Sequence, residues 1–194
     1  VRRKVRSHSG IEADYDRLLL ATGSNPIILP VPGKDLPGVV TFRGLQDVNT
    51  MLEAARTHSK AVVIGGGLLG LEAAHALLKQ GMHVTVVHLL ETLMERQLDP
   101  VAAQLLKQSL ERRGLHFHMP AKTTAILGTD RVRGVQFADE TIIEADLVVM
   151  AAGIRPNTEL ARAAGLRCDR GILVNDTMQT FDPCVYAVGE CVQH

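Results

Sequence analysis

The sequence carries no excess of charge: 21 lysines and arginines are matched by 21 aspartates and glutamates. A neutral balance offers no electrostatic footprint for a nucleic acid or an anionic membrane, so neither is expected as a partner. The basic cluster Arg2-Arg3-Lys4-Val5-Arg6 reads instead as alternating positions on an exposed strand. Cysteine is scarce. Cys168, Cys184 and Cys191 form no CxxC, and an odd count argues against a disulfide framework. The expected setting is a reducing cytoplasm. No apolar run reaches the ~20 residues of a membrane-spanning helix, and no stretch reads as a signal peptide. Histidine is present without a metal pattern. His116 and His118 alternate around Phe117 on one strand face, but neither they nor His75 and His83 find a matching third or fourth ligand. There is no nucleophile elbow. No catalytic acid, base or nucleophile is expected, and no metal site.

What is present in quantity is apolar residue, 46% of the chain, with 17 glycines among the rest. That is enough for one good core or two small domains. The most informative stretch is Lys60-Ala-Val-Val-Ile-Gly65-Gly66-Gly67-Leu68-Leu69-Gly70-Leu-Glu72. A short buried strand runs into a glycine turn and then a helix. Gly65, Gly67 and Gly70 stand at the G-x-G-x-x-G spacing. Gly65 permits the tight turn, Gly67 leaves room for a pyrophosphate at the backbone, and Gly70 lets helix and strand lie close. The helix start, with Leu68 and Leu69, offers unpaired N–H groups and a partial positive charge to an anion. The stretch predicts a dinucleotide-binding turn.

Around it the pattern is α/β. Residues 1–20 predict two short strands joined through Ser7-His-Ser-Gly10. The proline- and glycine-rich stretch 25–38 predicts a linker. Residues 45–58 predict a helix. A second runs from about Leu68 to Gln80 and ends at Gly81, and 83–88 form the next strand. Asp99-Pro100 predicts a helix start with aspartate as N-cap and proline at N1. Leu105, Leu106 and Leu110 give that helix its apolar face, and Gly114 stops it. A strand over 115–119, a meander over 123–143 and a buried strand over 146–150 follow. The βαβ unit at 60–88 predicts a parallel sheet with a right-handed crossover.

Other positions carry two readings each. The end of the second strand, where dinucleotide folds place an acid for the ribose hydroxyls, is occupied by His88. It is either a ribose or 2′-phosphate contact or a solvated strand end, and NADH versus NADPH is left open. Glu72, taken to lie in the first turn of the helix, either satisfies the helix dipole or contacts the far end of the dinucleotide. Ala21-Thr22-Gly23, Ala151-Ala152-Gly153-Ile154 and Gly189-Glu190 each end an apolar strand, and each alone is a plain turn.

Together these segments resemble the pyridine nucleotide–disulfide oxidoreductases, flavoprotein reductases that hold two dinucleotides. The resemblance covers most of residues 15–192 and rests on four words in that group's order. These are Tyr15-Asp-x-Leu-Leu-x-Ala-Thr-Gly-Ser24, Gly65–Glu72, Ala152-Gly153-x-Arg155-Pro156-Asn157 and Tyr186-Ala-Val-Gly189-Glu190-Cys191. Leu93-Met-Glu-Arg-Gln-Leu-Asp99, with the Gly189-Glu190-Cys191 ending, is most similar to the large subunits of NAD(P)H-dependent nitrite reductases. Rubredoxin and ferredoxin reductases share many of the same words. The resemblance implies a Rossmann-like NAD(P)-binding domain over 37–158, set into an FAD-binding domain represented by 1–36 (with a linker) and 159–194. Gly65, Gly67, Gly70 and Gly153, with Leu68, Leu69, Ala152 and Ile154 beside them, would line the nicotinamide dinucleotide. Glu72 would lie near the nicotinamide. Ala21, Thr22, Gly23, Gly189 and Glu190 would belong to the FAD side. Glu190 stands where aspartate is more usual, and His88 where NADH-using relatives often have glutamate. The group's own FAD turn precedes the Tyr15 word and is not found here, so the chain reads as a central piece of a longer reductase. Siroheme and an iron–sulfur cluster would then lie elsewhere in the parent. The piece by itself is expected to be inactive or a plain dinucleotide-binding module.

Overall fold

The computed structural model describes residues 3–194. Val1 and Arg2, the latter counted in the basic cluster, lie outside the described residues. The chain divides into two compact units. One holds the chain up to Asn25 together with Ile154–His194, and the other is Pro26–Gly153.

The first unit opens with β1 (Lys4–Arg6) and β2 (Glu12–Asp14), an exposed antiparallel hairpin in which Lys4 Nζ lies 3.2 Å from Glu12 Oε2. The basic strand is thus partnered by an acidic one. Exposed pairs of this kind stabilise little. Then come β3 (Leu18–Leu20) and β4 (Ser24–Pro26).

The second unit follows in chain order. It contains β5 (Val39–Thr41), α1 (Leu45–Thr57), β6 (Lys60–Ile64), α2 (Leu68–Lys79), β7 (His83–Val87), α3 (Pro100–Arg112) and β8 (His116–His118). The meander β9 (Thr123–Gly128), β10 (Val132–Phe137) and β11 (Ile142–Glu144) comes next, and then β12 (Leu147–Met150). Five strands form one parallel sheet in the order β5-β12-β6-β7-β8. Strand periodicity explains its two buried faces. Ala61, Val63, Val84, Val86, Leu147 and Val149 pack with Leu71, Ala74 and Leu77 of α2 and Met51 of α1. Val62, Ile64, Val148 and Met150 pack instead against Ile126, Val135 and Phe137 of the meander. A sheet covered on both sides reads as continuous apolar runs, which is why Ala61–Ile64 and Leu147–Met150 show no polar alternation.

Two expectations change here. Residues 27–38 are not a free linker. Leu29, Val31 and Leu36 pack on the meander side of the core, and the Ile126 N–H donates to the Pro32 carbonyl at 2.9 Å. They belong to the compact unit that begins at Pro26. In α3 Ala103 is buried and Leu106 and Leu110 pack half-buried on the core, while Leu105 is 61% exposed. The Asp99 cap sets that phase: its carboxylate accepts the Ala102 N–H at 2.8 Å, and Pro100 is the first helical residue.

At the start of α1, Gly44 has no side chain to cap the helix, so Asp47 does the work from the third helical position. Its Oδ2 accepts the N–H groups of Arg43 at 2.8 Å and Gly44 at 3.1 Å, and the Thr41 hydroxyl at 2.9 Å. Burial alone would raise the pKa of this carboxyl. The three donors outweigh it and hold the carboxyl below its ordinary value of 3.8. A depressed folded pKa stabilises above the unfolded value, and that stabilisation is lost as pH falls from 3.8 through the lower folded value. Asp47→Asn is therefore expected to cost about 1 kcal/mol at pH 7. Urea melts should show the difference from wild type shrinking once the pH is below the folded value. A difference that persists there would assign the effect to packing rather than charge.

On its return the chain completes the first unit with β13 (Ile154–Pro156), α4 (Glu159–Ala163), β14 (Ile172–Leu173), β15 (Val185–Ala187), a 3-10 turn at Gly189–Cys191 and β16 (Val192–Gln193). β3 runs parallel to β15 and β14 to β16, around a core of Leu20, Ala161, Ile172, Val185, Ala187 and Cys191.

Candidate functional site

Within the large sheet the chain moves outward from β6 to β7 and β8, then returns to the other side of β6 as β12. The order therefore reverses between β6 and β12. In an open parallel sheet, ligands bind outside the carboxyl ends of the strands at such a reversal. Gly65–Gly67 leaves β6 there, and Ala151–Gly153 leaves β12 there. Gly65 has φ +133°, and a Cβ on it would lie 2.2 Å from the Ala151 carbonyl oxygen. The two turns are thus in direct contact. Gly70 closes the approach from the helix side, since a Cβ there would lie 2.0 Å from the Gly65 oxygen. Gly153 is held by its carbonyl, which accepts the Ile27 N–H at 2.9 Å. Ala152 and Gly153 are exposed; Ile154, at the first position of β13, is 36% exposed.

Gly67 is the N-cap of α2, and no side chain caps this helix. The N–H groups of Gly67, Leu68 and Leu69 find no acceptor among the described residues. Nothing lies within 4 Å of a Cβ built on Gly67, so the space in front of these donors is open. A helix N-terminus with free donors, a dipole and open space in front of it is a place for an anion. Leu69 also lines a shallow depression of ≈ 280 Å³ with Phe42, Arg43, Gly44, Leu45 and Val48.

Glu72 lies one turn deeper than expected. With Leu68 first in the helix, Glu72 is fifth, beyond the first turn. The helix dipole falls off within that turn, so it does not explain this carboxylate. Glu72 is exposed and makes no hydrogen bond or ion pair among the described residues.

His88 does not point freely into solvent; its side chain is 11% exposed. Its Nδ1 accepts the Gly66 N–H at 3.0 Å, so the ring proton sits on Nε2, 3.2 Å from Glu95 Oε2. Both ring nitrogens are occupied. The Gly66 carbonyl in turn accepts the Met94 N–H at 3.1 Å. A Cβ on Gly66 would come within 2.7 Å of His88 and 2.8 Å of Leu93.

In the other unit, two further strand-end turns lie side by side, because β3 and β15 are parallel neighbours. Thr22 Oγ1 donates to the Asn157 carbonyl at 2.6 Å, and the Asn157 N–H donates to the Gly23 carbonyl at 2.9 Å. Ser24, only 7% exposed, donates from Oγ to Glu190 Oε2 at 2.8 Å. Gly189, at φ +80°, starts the 3-10 turn that presents Glu190. Ala21 is exposed beside this turn. Thr22 and Gly23 are thus tied to Asn157, and the next residue, Ser24, to the Glu190 carboxylate that follows Gly189.

The family model described as pyridine nucleotide-disulphide oxidoreductase matches residues 1–194. The chain belongs to this family. A nitrite reductase [NAD(P)H] of Bacillus subtilis is 58% identical over 180 residues, 93% of this chain and 22% of that protein. A rubredoxin-NAD(+) reductase of Pseudomonas putida is 36% identical over 98% of this chain and 50% of its own length. Among solved structures, a ferredoxin reductase from Rhodopseudomonas palustris superposes with a TM-score of 0.94 at 35% identity, over 98% of this chain and 47% of that one. The chain therefore spans about a fifth to a half of these oxidoreductases. Like them it is α/β with a Rossmann-like parallel sheet.

Four residues that take part in these two clusters of turns were not singled out from the sequence. Gly66 is the off-pattern glycine of the triplet, Ser24 and Asn157 act through contacts far along the chain, and Glu95 arrives from a loop. The one available signal for Glu95 was the missing acid at position 88. Among the described residues no group of three or more His, Cys, Asp or Glu is placed to hold a metal ion, and no helix is long and apolar enough to cross a membrane.

Proposed function

We propose that this chain is the NAD(P)H-to-FAD electron-input region of a cytoplasmic flavoprotein reductase whose terminal reaction is nitrite reduction. The observation that carries the reading is the open, uncapped start of α2 at the strand reversal, with free N–H groups and no obstacle beside Gly67. These features fit a dinucleotide pyrophosphate. The Gly67, Leu68 and Leu69 N–H groups would bind it. Gly65 and Gly70 hold the turn tight enough to aim them. Ala152, Gly153 and Ile154 would border the same ligand, and the exposed Glu72 carboxylate would lie toward its nicotinamide end. On the flavin side the Ser24–Glu190 hydrogen bond fits a polar chain such as ribityl. Ser24 orients the carboxylate, Glu190 would accept a hydroxyl, and Ala21, Thr22, Gly23 and Gly189 supply backbone that can approach closely.

When bound, the nicotinamide and flavin supply hydride transfer and then single-electron transfer; the chain supplies position and electrostatics. None of its residues needs to act as acid, base or nucleophile. Siroheme and an iron–sulfur cluster for nitrite would be held by other parts of a longer protein.

Nitrite is favoured over other acceptors by the nitrite reductase at 58% identity. The rubredoxin reductase at 36% supports the second reading, a reductase serving rubredoxin or ferredoxin. Calorimetric titration of the 194-residue chain with NADH and NADPH tests the shared part of both readings. Binding of at least one coenzyme is expected; binding of neither would reject both. Electron delivery to nitrite, against rubredoxin or ferredoxin, by the longer protein separates the two.

A further inference from the structure

Resting on the dinucleotide reading above, we infer that Glu95 is the group that recognises the adenosine ribose, and that it selects NADH over NADPH. Dinucleotide folds place an acid at the end of the second strand to accept the ribose hydroxyls. This chain has His88 there, and no carboxylate on the strand. A carboxylate is nevertheless delivered to that spot. Glu95 Oε2 lies 3.2 Å from His88 Nε2, and the Glu95 side chain is 32% exposed, so it is anchored yet within reach of a ligand.

The loop that carries it is fixed to the glycine turn. Gly66 is gripped from two directions: its N–H donates to His88 Nδ1, and its carbonyl accepts the Met94 N–H. Leu93, 1% exposed, packs where Gly66 has no side chain, and the N–H groups of Gln97 and Leu98 both donate to the Met94 carbonyl at 2.8 and 2.9 Å. The loop is therefore a short folded clasp that ends on the same turn as the pyrophosphate donors.

His88 is a positioning residue in this arrangement. Its tautomer is set by Gly66, so Nε2 donates to one carboxylate oxygen. The other Glu95 oxygen is left to accept a hydroxyl. An ionised carboxylate accepts from the 2′-hydroxyl of NADH and repels the 2′-phosphate of NADPH. Arg96, the next residue, is the rival group, because a guanidinium suits a phosphate. It is exposed and makes no hydrogen bond or ion pair among the described residues, whereas Glu95 is held in place.

The test is the dissociation constants of NADH, NADPH and 2′-deoxyadenosine NADH for wild type, Glu95→Gln and Arg96→Ala. Glu95→Gln keeps shape and removes charge on a partly exposed loop, and equal melting curves would show that the fold is intact. Wild type should prefer NADH. Glu95→Gln should weaken NADH about tenfold, as expected for losing a hydrogen bond to a charged group. It should strengthen NADPH, and it should leave the 2′-deoxy coenzyme unchanged. An NADH/NADPH ratio that stays within twofold would overturn the inference, as would equal losses for NADH and the 2′-deoxy coenzyme or a ratio that moves only in Arg96→Ala. If wild type bound no coenzyme at all, the dinucleotide reading itself would fail, and this inference with it.

Discussion

Gly67→Val is expected to fold as wild type does and to bind neither NADH nor NADPH. The two halves of that result have separate causes. Gly67 sits at φ −83°, ψ −177°, an extended conformation open to any residue. A Cβ there meets nothing within 4 Å. The added Cβ therefore meets no other part of the chain. The remaining cost is a poorer N-cap, about 1 kcal/mol. The ligand pays more heavily, because the open volume in front of the Gly67, Leu68 and Leu69 N–H groups is where the proposed function puts the pyrophosphate. Displaced by a side chain, it loses several charge-assisted hydrogen bonds at once, each contributing roughly 1.5–3 kcal/mol. Two such losses weaken binding at least a hundredfold. Calorimetry against both coenzymes, with a thermal melt of the free protein, checks the two halves together. Unchanged affinity would remove the pyrophosphate from this turn.

How much of this was legible in the sequence depends on distance along the chain. Strand β6, the glycine turn and α2 form one continuous segment, so periodicity and glycine spacing placed them within a residue or two. The Asp99-Pro100 start of α3 was legible for the same reason: the cap and the N–H that donates to it lie three residues apart. Errors of phase appeared where a local pattern was ambiguous. Leu105 and Leu106 are adjacent, and only the position of the helix against the sheet decides that Leu106 turns inward. Glu72 was placed in the first turn although the helix start at Leu68 was expected correctly; counted from that start it is the fifth residue. What was not legible is non-local. Nothing in residues 27–38 announces that the Pro32 carbonyl will meet Ile126. Nothing near Ser24 announces Glu190, 166 residues later. His88 offered a choice between ribose contact and solvent. The structure gives a third arrangement, because Gly66 and Glu95 arrive from either side of it in the chain.

Gly70→Ala is expected to do the reverse of Gly67→Val and damage the fold first. Alanine is the better helix former by about 1 kcal/mol, so propensity alone predicts stabilisation. Packing decides otherwise. The new Cβ would lie 2.0 Å from the Gly65 oxygen and 2.9 Å from its carbonyl carbon, and real Cβ atoms essentially never come within 3.0 Å. The obstacle is backbone, not the end of a flexible side chain. Gly65 cannot yield easily, since its N–H is held by the Val87 carbonyl at 2.8 Å and its other side abuts Ala151. The start of α2 must therefore lift from β6, which loosens Leu71, Ala74 and Leu77 in the main core. Overpacking of this kind costs roughly 1–3 kcal/mol, with the upper end expected for a contact with backbone. For a chain of this size, about 3 kcal/mol lowers Tm by roughly 6–12 °C. Coenzyme affinity should fall too, because the N–H groups proposed to bind the pyrophosphate move with the helix. Thermal melts with and without saturating NADH provide the check. A Gly70→Ala chain that melts at or above the wild-type temperature would show that α2 and β6 are not in the close contact that aims these donors.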